Sequence, residues 1–380
     1  MSDSPLKIYF IVGEESGDIL GASLLDTFKS LNTDVKPMGL CGSRMAKHGV
    51  QSLFNISELS VMGISAVVGR LPLLVKRIRQ TAQDIIEQQP DVLLMIDSPD
   101  FSYRVAKKVR KRAPEIKIIK YVAPSVWAWR QGRANAISSY VDHILAILPF
   151  EPELLKELGG PPTTYVGHPL AADMLDVSVK NSSKIGVKPT LLALPGSRRN
   201  ETKRLLPVIA QTLEILKSRG NDFEVIVPTT KRMEAEVSQE VKQWPYSPTL
   251  VVGDEARKTA FAKADVAIAA SGTVTLELAL HNVPLVSIYK LDPIMMQMTR
   301  FISAWTASLP NLIADYQVVP ELFNELAIPG MIARVTEKLS QEGPERDAQL
   351  AGFDLVRERL KQENPSSKIA ARKILEVVSS

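Results

Sequence analysis

Residues 7–18 read Lys7-Ile8-Tyr9-Phe10-Ile11-Val12-Gly13-Glu14-Glu15-Ser16-Gly17-Asp18, an apolar run that stops at a glycine and opens into an acidic turn. The run is too short for a secretory signal and lacks a small-residue cleavage site, so it predicts a first strand. An apolar helix with Gly21 and Ala22 in its first turns follows. The glycines permit a tight turn and close backbone approach, and Ser16 or Asp18 can cap the helix. The turn lacks G-x-G-x-x-G, and its acids repel a pyrophosphate, which argues against a nicotinamide-dependent dehydrogenase.

The same alternation of short aliphatic runs with helical periodicity continues outward, the pattern of parallel sheets covered by helices. The fold class is α/β. Strands are expected at 7–13, 36–40, 91–96, 117–122, 143–148 and 163–166, and in a second series at 190–194, 223–227, 250–252, 266–269 and 285–288. Between the series the pattern dissolves into a polar stretch around Ala171 to Pro189. This predicts two Rossmann-like parallel-sheet domains, 1–172 and 173–345, with an interdomain cleft at the carboxyl ends of the strands. A helical tail, 346–380, is free to pack back on the first domain.

At 380 residues the chain is long enough for two full cores, and 45% hydrophobic with 23% charged residues is ordinary globular composition. The single cysteine, Cys41, allows no intramolecular disulfide and no cysteine metal cluster, which fits a reducing, cytoplasmic setting. No apolar stretch is long enough to span a bilayer, so any membrane contact is expected to be peripheral. Four histidines without clustered spacing point away from a zinc site, and no metal or cofactor is expected. The net charge is a mild +4, but Lys107–Arg112 places five basic residues in six positions, either a solvated helix face or an anionic contact.

Candidate chemistry lies at the strand ends. Asp97 follows the run 91–96 and can accept a proton from a sugar hydroxyl; it can equally cap the helix from Pro99, and Asp100 can share either role. In the second half, Gly196-Ser197-Arg198-Arg199 joins a strand to a helix, offering backbone N–H groups and the forked Arg198 cation to a diphosphate. Pro207 predicts a kink in that helix or a later start. The turn Ser271-Gly272-Thr273-Val274-Thr275-Leu276-Glu277 offers hydroxyls to phosphate oxygens and, at Glu277, a carboxylate to ribose hydroxyls. Together the two turns describe a nucleoside diphosphate site.

Glu15, Ser16 and Asp18 either line the cleft and bind an acceptor sugar or simply form its capped turn. Trp127, Trp129 and Arg130 can stack on a sugar or fill the core, and His168 can serve as a hinge residue or an anion ligand. Val61 to Arg77 is aliphatic with basic punctuation. Such a segment can lie in a lipid interface, with Arg70, Lys76, Arg77 and Arg79 meeting anionic headgroups, or act as a core helix.

Taken together, GEESGDILGA, VMGI, IDSPDF, APSVWAWRQ, LPFE, GHP, LPGSR, ASGTVTLE and SLPNLIA resemble the lipid-A-disaccharide synthase family across nearly the whole chain. The resemblance implies a GT-B fold and an inverting transfer of 2,3-diacylglucosamine from its UDP conjugate to the 6-hydroxyl of 2,3-diacylglucosamine 1-phosphate, giving a β-1,6-linked disaccharide 1-phosphate and UDP. It implies Asp97 as an essential residue acting as the base, and a UDP site on Ser197, Arg198, Ser271, Gly272, Thr273, Glu277 and Asn311. It further implies membrane docking through Val67, Val68, Leu71, Leu73 and Leu74 at the cytoplasmic face of the inner membrane, and intertwined homodimers. Glu15 stands where the family often has Thr or Ala, and Asn200 falls in a variable part of its turn. The alternatives are another two-domain UDP-sugar enzyme, an epimerase or a transferase with a soluble acceptor, and a two-lobed binding protein without turnover.

Overall fold

The computed structural model describes residues 4–59, 64–173, 188–292, 296 and 302–380, with the side chains of 64–70, 172 and 173 outside that description. The chain forms two compact units, one of residues 1–172 and 362–380, the other of 173–361.

The first unit is a six-stranded parallel sheet of β1 (Leu6–Val12), β2 (Val35–Leu40), β3 (Val92–Ile96), β4 (Lys117–Tyr121), β5 (His143–Ala146) and β6 (Thr163–Tyr165), in the order β2-β1-β3-β4-β5-β6. β3 is buried along its whole length, which is why it reads as an unbroken aliphatic run. β1 feeds both faces. Tyr9 and Ile11 pack with Ile85 and Val105 on one side, and Ile8, Phe10 and Val12 with Leu24, Phe28 and Ile374 on the other. β2, with Pro37, takes the edge, where a missing ladder donor is tolerated.

The second unit repeats the plan with β7 (Thr190–Leu194), β8 (Glu224–Thr229), β9 (Thr249–Val252), β10 (Val266–Ala270), β11 (Leu285–Tyr289) and β12 (Glu321–Phe323), ordered β12-β11-β10-β7-β8-β9. Among the described residues, β12, three residues at the edge, is the strand that sequence reading missed. The helix after β7 begins at Arg199 and runs through Pro207 to Ser218, so the later start does not occur.

The two C-terminal helices part company. Pro344–Leu360 stays in the second unit, where buried Gln349 bonds Leu285 through both its N–H and its carbonyl. Ser366–Ser379 belongs to the first unit: Ala370, Ala371 and Ile374 join the core of the helix Glu15–Ser30, and Thr27 donates to Ser367 at 2.9 Å.

Each sheet reverses its winding once, between β1 and β3 and between β7 and β10. In open parallel sheets ligands bind at the carboxyl ends beside such reversals. The turns after those four strands are the ones the sequence marks.

Candidate active site

In the first unit the turns after β1 and β3 are pressed together. A Cβ placed on Gly13 lies 1.8 Å from Ser98 Oγ, and one on Gly17 lies 3.2 Å from Val12 and 3.4 Å from Ile96, so glycine at both positions brings the acidic turn against the Asp97 turn. Ser16 Oγ then donates to Asp97 Oδ2 at 2.8 Å. Glu15 and Ser16 are exposed, and Asp97 is half-buried.

Asp97 and Ser98 both hold left-handed backbone, with φ of 57° and 44°. The consecutive pair is costly for non-glycine residues, about 1–2 kcal/mol each. Beyond β4, Val122 at φ 68° is a rarer outlier, because its branched Cβ crowds that region. Strain therefore gathers at the carboxyl ends of β3 and β4.

Lys120 underpins the strained turn. It is 2% exposed within β4, and its ammonium donates to the Asp97 carbonyl at 2.7 Å. Burial pulls its pKa down to about 8, against the opposing pull of the Asp97 and Glu14 charges. Sequence reading overlooked this residue: a lysine in Lys117-Ile118-Ile119-Lys120-Tyr121 looks like an outward position.

The other acceptor candidates separate into buried supports and pocket residues. Asp18, 2% exposed, has both carboxylate oxygens engaged by the backbone N–H groups of Gly42, Arg44 and Met45, capping the short helix Ser43–Ala46. His168 is buried, which lowers its pKa to about 4, and its Nδ1 accepts from the Leu170 N–H. Trp127 packs edge-on to Phe150 beside buried Glu151, whose carboxyl burial pushes up to about 7.

Asp100 and Arg130 instead line a cavity of about 360 Å³ together with Tyr103, Arg104, Lys107 and Arg133. Arg130 stacks at 4.3 Å on exposed Trp129. Asp100 stands 3.5 Å from Arg133.

In the second unit Gly196, at φ 99°, holds the turn after β7. A Cβ there meets the Glu201 carboxylate at 2.2 Å. Glu201 accepts the Ser197 N–H at 3.2 Å, so that amide has a partner within the turn, and burial raises the Glu201 pKa. Arg198 is exposed at the N-terminus of the helix Arg199–Ser218, whereas Arg199 is paired with Glu236.

After β10, Gly272 starts the helix Thr273–Leu280, and Thr275 donates back to the Gly272 carbonyl at 2.8 Å. Gly272 and Thr273 are exposed, Ser271 is half-buried, and the Glu277 carboxylate lies 3.2 Å from Arg257. Asn311 is fully buried. Its carbonyl accepts from Val318 and Val319, and its amide donates to Thr306 and the Val319 carbonyl, so it shapes the loop before β12.

The docking candidates lie on the helix Ile64–Gln88. Val67 and Val68 have side chains outside the described residues. Leu71 is 47% exposed and Val75 42%, with Leu73 and Leu74 half-buried between them. Lys76 and Arg79 are exposed, but Arg77 is held by Glu58 at 2.9 Å and lies over Phe54 at 4.5 Å. Among the described residues no helix is long and apolar enough to cross a membrane.

A protein-family model described as Lipid-A-disaccharide synthetase matches residues 8–375. The lipid-A-disaccharide synthase of Nitrobacter winogradskyi is 45% identical over 353 residues, covering 92% of this chain and 89% of its own. That of Rhodospirillum centenum is 39% identical over 383 residues, covering 99% and 95%. Among solved structures, Acinetobacter baumannii MurG aligns with a TM-score of 0.61 at 13% identity, covering 99% of both chains. A Neisseria meningitidis UDP-GlcNAc 2-epimerase bound to UDP-GlcNAc aligns at 0.60 and 10%, covering 98% of this chain and all of its own. At such identities these likenesses speak for the fold alone, the GT-B architecture shared by glycosyltransferases and epimerases.

Proposed function

The chain belongs to the lipid-A-disaccharide synthase family, and on that premise we propose that it joins UDP-2,3-diacylglucosamine to the 6-hydroxyl of 2,3-diacylglucosamine 1-phosphate with Asp97 as general base. It is a glycosyltransferase of lipid A disaccharide synthesis. The observation that carries the base assignment is the Asp97 carboxylate, oriented at 2.8 Å by Ser16 beside the winding reversal of the first sheet. Ser16 takes one lobe of one carboxylate oxygen and leaves the rest to accept the hydroxyl proton, while Lys120 fixes the turn from below.

A single displacement by that hydroxyl inverts the anomeric carbon. The departing diphosphate meets Arg198 and the Ser197 hydroxyl after β7, with Ser271 and Thr273 after β10, and Glu277 accepts from the ribose. Fixed donors and a helix N-terminus neutralise the leaving charge here, so transfer is expected to proceed without a metal. Asn311 contributes by holding its loop.

Docking of the helix Ile64–Gln88 at the cytoplasmic face of the inner membrane belongs to the same proposal, supported by exposed Leu71 and Val75. So does pairing of two copies, for which the exposed Leu326, Ile328 and Met331 offer apolar surface.

The test is transfer between the two substrates in detergent micelles containing EDTA, wild type against Asp97→Ala. Disaccharide that forms despite EDTA and vanishes in the variant supports the reading. No disaccharide from the wild type sinks the substrate assignment, and an active Asp97→Ala sinks the base.

A further inference from the structure

The basic cavity beside the Asp97 turn has a chemistry that general-base catalysis does not use. Its wall starts at Pro99, two residues beyond Asp97, and follows the helix Pro99–Arg112. Four cations, Arg104, Lys107, Arg130 and Arg133, line it against one carboxylate, Asp100. Arg104, Lys107 and Arg130 are exposed and Arg133 half-buried, so an entering anion meets charge before it meets protein core.

A second observation comes from Tyr103. The residue is 7% exposed, and among the described residues its buried hydroxyl has no hydrogen-bond partner, although the side chain lines the cavity. Buried hydroxyls are almost always satisfied, because leaving one unpaired costs about 1–3 kcal/mol. Burial also raises the Tyr103 pKa, keeping the phenol protonated and therefore a donor. A donor without an acceptor, set among cations, calls for a ligand rich in acceptor oxygens and negative charge.

We infer that this cavity is a phosphomonoester-binding site, with Tyr103 and the guanidinium and ammonium groups of Arg104, Lys107, Arg130 and Arg133 as its donors. The aromatic walls hold the cations in place: Lys107 lies 5.1 Å from the Tyr140 ring, and Arg133 lies 5.9 Å from Trp129, on which Arg130 stacks. At 1.5 Å of rise per helical residue, the stretch from Pro99 to Lys107 spans roughly 12 Å. That range includes the distance between two substituents that flank the ring oxygen of one sugar. Resting on the general-base reading of Asp97, the favoured source is the phosphate of the acceptor, carried on C1, which is separated by only the ring oxygen from the C5 that bears the attacking 6-hydroxymethyl group. An anionic lipid headgroup carries the same chemistry.

The test compares the full-length wild type with Tyr103→Phe and with Arg104→Gln/Lys107→Gln. Three readouts are taken: Michaelis constants for acceptor and donor in micelles, inhibition by inorganic phosphate, and sedimentation with vesicles containing phosphatidic acid. Loss of one charge-assisted bond corresponds to about a tenfold effect. The expected result is an acceptor KM raised about tenfold with donor KM unchanged, and phosphate inhibition, competitive with acceptor in the wild type, weakened equally. Unchanged acceptor KM with lost vesicle binding keeps the site and assigns it to the headgroup. Unchanged acceptor KM, phosphate inhibition and vesicle binding overturn it. Tyr103→Phe also guards against misfolding, since removing an unpaired buried hydroxyl does not lower the thermal midpoint. If the wild type makes no disaccharide, the reaction assignment falls, while phosphate protection in thermal unfolding and vesicle sedimentation still read the site.

Discussion

Ser16 and Asp97, eighty-one positions apart, share a 2.8 Å hydrogen bond because two turns at the carboxyl ends of neighbouring strands are packed face to face. With Asp97 as base, Asp97→Asn lowers kcat by about 10²–10⁴. Ser16→Ala lowers it about tenfold by freeing the carboxylate to rotate. Residues acting as one unit are not additive, so the double variant is expected to be no worse than Asp97→Asn alone. Steady-state kcat for the three proteins decides the matter, and multiplicative losses exclude the pairing.

The close approach of those turns rests on Gly13. An added methyl at 1.8 Å from Ser98 Oγ and 2.6 Å from its Cβ forces the Asp97 turn to move. Gly13→Ala is expected to destabilise the protein by about 1–3 kcal/mol, the usual range for overpacking, and to depress kcat. Ser98→Gly removes both clashing atoms and suits a φ of 44°, so Gly13→Ala/Ser98→Gly should recover most of both losses. Denaturation midpoints and kcat report the rescue; its failure places the defect elsewhere.

Lys120 gives the fold a signature in pH. Burial lowers its pKa from 10.5 to about 8, so between those values the unfolded chain holds more protons than the folded one. The Lys120 contribution to stability therefore rises with pH across that window, by an amount on the order of 3 kcal/mol, and is flat below it, where both states carry the charge. Lys120→Met abolishes the rise. It also lowers kcat, because the Asp97 carbonyl loses its anchor. Chemical denaturation below, within and above the window measures the slope; equal slopes in the two proteins rule out the assignment.

Much of this site is legible in the sequence because it is local. Strand, turn and helix follow one another in ten or twelve residues around Gly13, Asp97, Gly196 and Gly272, and the glycines and polar residues announce the turns. What the sequence hides is set by distant neighbours. The bonds that Asp18 accepts from Gly42 and Met45, and those that Asn311 accepts from Val318 and Val319, leave no mark in the sequence. Lys120 looks solvated because alternation along β4 says nothing of the Asp97 turn beside it. The orphan hydroxyl of Tyr103 has no sequence signal at all, since only the absence of partners in three dimensions reveals it.

The donor reading predicts a separable defect. Arg198 is an exposed guanidinium at the helix start after β7, and charge-assisted bonds to a diphosphate contribute about 1.5–3 kcal/mol. Arg198→Ala is expected to weaken UDP binding about 10- to 100-fold in calorimetric titration without acceptor. Arg199→Ala, whose guanidinium is engaged by Glu236, should change it little. Equal losses in both variants point to a diffuse field in place of a specific contact.

Leu71 and Val75 are four residues apart on one helix, so their exposed side chains share a face. Inserting a large aliphatic side chain into a bilayer contributes about 1.5–3 kcal/mol, and two together give roughly 10²–10⁴ in partitioning. Leu71→Asp/Val75→Asp should therefore release the protein from vesicles while leaving kcat in detergent micelles within about twofold, because neither side chain lies at the Asp97 turn. Sedimentation with vesicles and the micelle assay, run on the same preparation, separate two roles. Lost vesicle binding with intact micellar turnover marks a docking surface. A rise in acceptor KM in micelles instead marks a groove for the acyl chains, since micelles present the acceptor without a bilayer to dock on.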